Sequence, residues 1–335
     1  MKPEQFQDLQ LLQELAQTPQ ITQRDLGKRM GSALGLINLR LRRLSVQGLI
    51  RIEEAEKNRA HYLLTPKGIQ ERDRLAADYL DRSMRYYENA RRFLTEDMDV
   101  VILCGGRGTR LKELTAATPK PLLPVNGEPF LLKLVTRLQQ EGFRRFILAA
   151  HYLSPQFERF LKQYRTQLNG TQVVIEPEPL GTGGALRHAV ERVTSRHFVG
   201  LNGDSWVDQA LAPVVSEHLK EGWQGTVLAV RAEQVEGKAV QKGLLQMGDR
   251  REVLGFHTPE STAGGWVNGG SYVLERETVA SWPGGSYSLE TDWMRLWNGR
   301  RVGAFCSEGR LLDIGTPPVY ERAGAVLEGE MGLIR

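Results

Sequence analysis

The chain has 335 residues and a formal net charge of +4, with 25% charged and 41% hydrophobic residues. That length exceeds what a single hydrophobic core usually supports, and the composition is that of an ordinary globular protein, which excludes a disordered chain. No apolar run reaches membrane-span length, the opening "MKPEQFQDLQ" carries no export signal, and the only cysteines, Cys104 and Cys306, make neither a disulfide framework nor a metal-ligand spacing, so a cytoplasmic protein with no membrane partner is expected.

Phe6, Leu9, Leu12 and Leu15 recur at helical spacing and predict a first helix. Thr22 followed by Asp25 predicts a capping box that opens a second. Gly31 and Ser32 predict a tight turn, with Ser32 capping a third helix over about 33–47. On that helix Ile37, Leu41 and Leu44 should pack inward, while Leu36, Arg40 and Arg43 should point out. "GLIRIEEAEKNRAHYLLTPKG" predicts two strands with a charged tip, followed by a helix that starts at Thr65-Pro66.

Helices, a basic helix and a hairpin, in this order, make residues 1–67 a small winged helix-turn-helix domain. Its second motif helix is expected in the major groove of duplex DNA. Arg40, Arg42 and Arg43 suit phosphates or guanine edges, Asn38 suits adenine, and Arg59 at the hairpin tip suits a phosphate or the minor groove. A solvated helix face is the plainer reading of the arginines alone. "ITQRDLGKRMGSALGLINLRLRRLSVQGLI" with "YLLTPKGIQERDRL" resembles the MarR-type winged-helix regulators, in particular small ones associated with exopolysaccharide gene clusters. The resemblance covers residues 1 to about 95.

Residues 68–96 predict a charged helix carrying Leu75, Leu80, Met84, Tyr87 and Leu94. It is either a linker or a dimerisation seam, the latter giving a homodimer that matches a two-fold DNA site.

From Asp99 the pattern changes. "DVVILCGG", "FRRFILAA", "TQVVIEP", "HFVGLNGD" and "GTVLAVRAE" predict buried strands, several separated by helices such as "PFLLKLVTRLQQEG". Residues 98–335 are therefore expected to form an α/β domain, a Rossmann-like mostly parallel sheet with helices on both faces and a ligand at the carboxyl ends of the strands. The stretch "LCGGRGTRLKELTAATPKPLLPV" follows the first strand and so lies at that end. Gly105, Gly106 and Gly108 let backbone N–H groups close on phosphate oxygens, with Leu103 and Thr109 beside them. Arg110 can grip a phosphate with two donors, and Lys120 presents a charge between Pro119 and Pro121. Neither a P-loop nor a G-x-G-x-x-G pattern is present, yet the set suits a nucleoside triphosphate.

That stretch is similar to the signature of the sugar-1-phosphate nucleotidyltransferases, and the resemblance runs from about Met98 to Tyr320. It implies the nucleotidyltransferase fold and a reaction in which a sugar 1-phosphate attacks the α-phosphorus of an NTP and releases pyrophosphate. By the same resemblance "EPLGTGGALRHA" places Gly181, Thr182, Gly183 and Gly184 beside the base. "LNGDSW" and "LLDIGTPPVY" supply Asp204 and Asp313 as ligands of Mg²⁺. "WVNGGSYVL" and "SLETDW" place Asn268, Gly269, Gly270, Glu290 and Asp292 against the sugar. Two carboxylates with triphosphate oxygens suit this hard cation.

One departure stands out. Many relatives carry an E-K-P lysine for the sugar phosphate, whereas "LGFHTPE" puts His257 there; either His257 contacts the phosphate, or a lysine from elsewhere such as Lys242 does, or His257 is a surface histidine with no role. "PLGTGGALR" and "LNGDS" look most like heptose-1-phosphate guanylyltransferases and their mannose-1-phosphate relatives, which favours GTP over UTP, CTP or TTP. The expectation is an enzyme for a surface-polysaccharide sugar that carries a DNA-binding module. The alternative is a transcriptional regulator whose transferase half only senses a sugar nucleotide.

Overall fold

The computed structural model describes residues 2–55, 59–237, 244–257, 264–292 and 296–331. The chain divides into two compact units, Met1–Ala90 and Arg91–Arg335.

In the first unit α1 (Pro3–Gln17), α2 (Gln23–Arg29) and α3 (Leu34–Val46) precede a hairpin of β1 (Ile50–Ala55) and β2 (Arg59–Leu64). Helix α4 (Pro66–Thr95) follows, and the boundary between the units falls inside it. Leu9, Leu12, Leu15, Ile37, Leu41, Leu44, Tyr62 and Leu75 form the core. Thr22 caps α2: its Oγ1 accepts from Asp25 N at 3.1 Å. Ser32 is not the cap of α3. That position belongs to Ala33, and Ser32 Oγ instead donates to Met30 O at 3.3 Å, because the turn after α2 leaves this carbonyl within its reach.

The arginines of α3 also depart from expectation. Arg40 does not point out. It is 8% exposed, and its guanidinium lies against α1, where Gln7 and Asp8 accept its hydrogen bonds. Arg43 is half-buried and bonds the same Asp8 carboxylate. The helical spacing of α3 could not reveal this, because the acidic partner sits on another helix. On α4, Tyr79, Leu80, Met84, Tyr86 and Tyr87 are exposed, while the ion pairs Asp78–Arg82 and Asp81–Arg85 flank them.

The second unit is built on one mixed sheet. Strands β3 (Asp99–Leu103), β6 (Arg145–Ala150), β7 (Thr171–Ile175) and β8 (His197–Asn202) run parallel in the order β8-β3-β6-β7. The small hairpin β4 (Pro124–Val125) and β5 (Glu128–Pro129) lies outside this sheet. Val100 and Ile102 face one core and Val101 the other, which is why β3 is a continuous apolar run rather than an alternating one. Helices α5 (Phe130–Gln140), α6 (Pro155–Gln163), α7 (Gly181–Ala189) and α8 (Leu211–Glu221) alternate with these strands.

Beyond β8 the sheet stops being parallel. The long strand β13 (Trp266–Glu275) runs antiparallel to β8 and to β10 (Gly225–Arg231), and β11 (Leu244–Met247) with β12 (Val253–His257) extends that side. Strand β14 (Val302–Ser307) pairs parallel with β10. A separate two-stranded ribbon joins β9 (Ser205–Val207) to β15 (Leu311–Asp313). Helix α9 (Arg276–Ala280) follows β13, and α10 (Pro317–Met331) follows the ribbon.

Candidate active site

The glycine loop leaves β3 at the carboxyl edge of the parallel strands. Cys104 N donates to Ala149 O at 2.7 Å and Gly203 N to Leu103 O at 2.9 Å, so the ends of β3, β6 and β8 are tied together. A side chain at Gly105 would overlap the Glu176 carboxylate. Gly108 sits at φ +63°, and its carbonyl accepts from Thr115 Oγ1 at 3.1 Å. Gly106 has open space around it. Thr109 begins the helical turn that carries Arg110, and Lys120 begins another over 120–122.

The two aspartates meet through the ribbon. Asp204 follows β8 after one intervening residue, Gly203, while Ser205 pairs with Asp313 and Ile314 N donates to Asp204 O at 3.0 Å. Lys120 Nζ contacts the Asp204 carboxylate. Asp313 Oδ1 accepts from Gly315 N at 2.8 Å. A Cβ at Gly315 would stand 2.8 Å from Asp313 Oδ1, 3.1 Å from Lys120 Nζ and 3.3 Å from Arg110 Nη2. Arg110, Lys120 and Asp313 thus converge on one glycine, and Asp204 joins them through Lys120.

Next to this cluster lies a cavity of about 340 Å³, lined by Leu103, Gly105, Gly106, Arg107, His151, Glu176, Leu180, Gly181, Thr182, Asn202 and Asp204. Glu176 is 4% exposed. Its Oε2 accepts from Leu180 N at 3.2 Å, while Oε1 is buried with no hydrogen-bond partner among the described residues. Burial pushes the Glu176 carboxyl above its ordinary range, opposed by the Leu180 hydrogen bond and by His151 and His188 nearby. Glu176, His151, Arg107 and Asn202 were not anticipated. A carboxylate closing the apolar strand "TQVVIEP" was the one signal that could have found Glu176.

The four glycine-loop residues at α7 separate into two groups. Gly181 and Thr182 line the cavity. Gly183 and Gly184 do not: they press on the 285–289 segment, where Gly183 N donates to Tyr287 O at 3.1 Å and a side chain at either position would overlap Tyr287 or Gly285. A Cβ at Gly183 would meet the Tyr287 ring and one at Gly184 the Gly285 carbonyl, so both positions need the close approach that only glycine allows.

The residues expected at the sugar form one network. Glu290 Oε2 accepts from Thr182 Oγ1 at 3.0 Å and Ser288 Oγ at 2.8 Å, and its Oε1 from Asn268 Nδ2 at 3.3 Å and Tyr272 OH at 3.2 Å. Tyr272 lies with Asn268 in the stretch "WVNGGSYVL", but a tyrosine in an apolar run gives no sign of the acidic partner that sits in the segment 288–292. Gly270, at φ +73°, lets Asn202 approach, since a Cβ there would lie 2.7 Å from Asn202 Nδ2. Gly269 packs against the Leu228 carbonyl. Asp292 closes the local turn, where its Oδ2 accepts from Ser288 N at 3.0 Å. Lys242 and the side chains of His257 and Arg59 lie outside the described residues. Among the described residues no group of three or more His, Cys, Asp or Glu side chains could hold a metal, so any metal here would rest on two carboxylates and its substrate.

The profile of the nucleotidyl transferase family matches residues 99–328, and that of a winged helix-turn-helix DNA-binding family matches residues 7–51. The chain is 32% identical over 182 residues to a D-glycero-α-D-manno-heptose 1-phosphate guanylyltransferase of Campylobacter jejuni, covering 54% of this chain and 77% of the relative. It is 31% identical over 186 residues to a mannose-1-phosphate guanylyltransferase of Mycobacterium tuberculosis, covering 55% of this chain and about half (51%) of that relative. The crystal structure of HddC from Yersinia pseudotuberculosis superposes with a TM-score of 0.61 at 28% identity, covering 69% of this chain and 99% of HddC. The same protein has been solved in complex with GMP-PN.

Proposed function

Because the chain belongs to the nucleotidyl transferase family, we propose that its second unit transfers a nucleotidyl group from an NTP, GTP by preference, to a sugar 1-phosphate. A phosphate oxygen of the sugar 1-phosphate attacks the α-phosphorus. The bond to the β-phosphate breaks and pyrophosphate leaves, so phosphorus and charge balance. The observation that carries this reading is the convergence of Arg110, Lys120 and Asp313 at Gly315, with Asp204 held by Lys120. Such transfers depend on positioning and charge neutralisation more than on proton transfer. Arg110 and Lys120 hold the triphosphate, and the glycine-loop N–H groups orient it. Asp204 and Asp313 fit Mg²⁺, which prefers one or two carboxylates plus substrate phosphates and would neutralise the triphosphate charge.

Glu176 supports GTP. Guanine offers two adjacent donors, N1–H and N2–H₂, on one edge, and a carboxylate is an acceptor-only group with room for both. Adenine and cytosine would set a ring-nitrogen lone pair against it. The similar guanylyltransferases support a heptose or mannose 1-phosphate as the acceptor. No described helix is long and apolar enough to cross a membrane.

For the first unit we propose duplex DNA, supported by the winged-helix arrangement. With Arg40 turned inward, Asn38, the exposed Arg42 and the half-buried Arg43 and Ser45 are the polar groups of α3 left for it, and Leu36 and Leu39 could meet thymine methyl groups. The exposed apolar side chains of α4 support a homodimer.

The test is a pyrophosphate-release screen of four NTPs against a panel of sugar 1-phosphates with Mg²⁺. Release with GTP and a heptose or mannose 1-phosphate is expected. No release with any pair sinks the transferase reading and leaves the regulator that senses a sugar nucleotide.

A further inference from the structure

The ribbon that ends in Asp313 and starts next to Asp204 is short and stands apart from the main sheet. Two-stranded pairs of this size are not stable alone. One strand is tied down by the backbone, where Glu236 N donates to Leu311 O at 2.8 Å. The other is held by a side chain from α5. Arg137 Nη1 donates to Val207 O at 2.5 Å and Nη2 to Gln209 O at 2.9 Å. Its guanidinium lies over the Trp206 ring, 4.5 Å from the centroid. Glu141, one turn further along α5, meets Arg137 Nε at 3.4 Å and accepts from Leu211 N at 2.6 Å, which fixes the start of α8. Arg137 is 14% exposed and Glu141 9%. A planar fork that bonds two carbonyls while stacking on a ring is work that a lysine cannot copy.

We propose that Arg137 is a positioning residue for the acidic pair: by clamping Val207, Gln209 and Trp206 it sets where Asp204 stands relative to Asp313 and Lys120. The inference rests on the functional reading above. Arg137 touches neither carboxylate. It acts through β9, whose first residue follows Asp204 and pairs with Asp313.

The experiment uses the full chain with Mn²⁺ as a spectroscopic probe. Mn²⁺ binding is followed by electron paramagnetic resonance in the presence of a non-hydrolysable GTP analogue. Analogue binding in EDTA and thermal unfolding are measured in parallel. Arg137→Lys is expected to weaken Mn²⁺ about tenfold, as loss of a group supporting a metal ligand does, with analogue binding in EDTA unchanged. Trp206→Leu keeps the two carbonyl hydrogen bonds and removes the ring, and it should show the same direction; it carries the test if Arg137→Lys does not fold. Unchanged Mn²⁺ affinity in a folded variant overturns the inference, and so does an equal loss of analogue binding without metal, which would mark general damage. A wild-type chain that binds no Mn²⁺ with the analogue overturns the functional reading instead.

Discussion

Lys120 and Asp204 stand 84 residues apart in the chain, yet the lysine ammonium contacts the aspartate carboxylate at the carboxyl edge of the sheet. Lys120 is 8% exposed, so neither charge is left to water alone. Removing one partner of such a pair strands the other. Asp204→Ala should therefore abolish pyrophosphate release, by a factor on the order of a thousand or more, while circular dichroism still reports a folded chain. Near-normal turnover in Asp204→Ala would take this residue out of the metal site.

Glu176 allows a sharper experiment on base choice. Glu176→Gln replaces one acceptor oxygen by an amide donor, which opposes a guanine donor. The kcat/KM for GTP should fall roughly a hundredfold, with a much smaller change for the other three NTPs. Uniform loss across all four would mean that Glu176 supports the loop rather than reads the base.

In the first unit, two arginines two positions apart should behave differently. Arg40→Ala removes the buried partner of Asp8 and should lower stability by about 2 kcal/mol in denaturant titration, leaving DNA affinity little changed. Arg42→Ala should leave stability alone and weaken binding of the full chain to a fluorescent duplex, with a shallower dependence on salt. The reverse pattern would restore Arg40 as a DNA contact. No binding of the wild-type chain at low salt would make the winged helix a protein-interaction module.

His218 is fully buried on α8, where Nδ1 meets Thr226 Oγ1 at 2.8 Å and Nε2 meets His197 Nδ1 at 2.9 Å. Burial, with a smaller push from His197, lowers its pKa from 6.5 to about 3. The folded chain therefore resists a proton that the unfolded chain accepts. The contribution is fully present above about pH 6.5 and is lost as the pH falls toward 3, at up to about 1.4 kcal/mol per pH unit. The Tm of the wild type should drop more steeply between pH 6.5 and 4 than that of His218→Gln. Parallel curves would remove His218 as a source of acid sensitivity.

Much of this protein was legible from local pattern. The continuous apolar run of β3, the glycine loop behind it, the Thr22 cap and the hairpin before Pro66 all depend on residues within one turn or one strand, so spacing alone revealed them. Other features depended on partners far away in sequence. Arg40 looked solvent-facing because its helix is amphipathic, but Asp8 on α1 turned it inward. Gly183 and Gly184 looked like ligand glycines because the segment 285–289 that crowds them is a hundred residues away. Sequence by itself determined which chemical groups the candidate site contains: a glycine-rich loop, an arginine, a lysine and two carboxylates. Only the tertiary structure decided that β9 pairs with β15 and so brings Asp204 beside Asp313, and that Glu176 ends with one buried oxygen unpaired among the described residues. Periodicity records which face of an element is buried, whereas charge pairing and strand pairing are set by what the fold packs against that face.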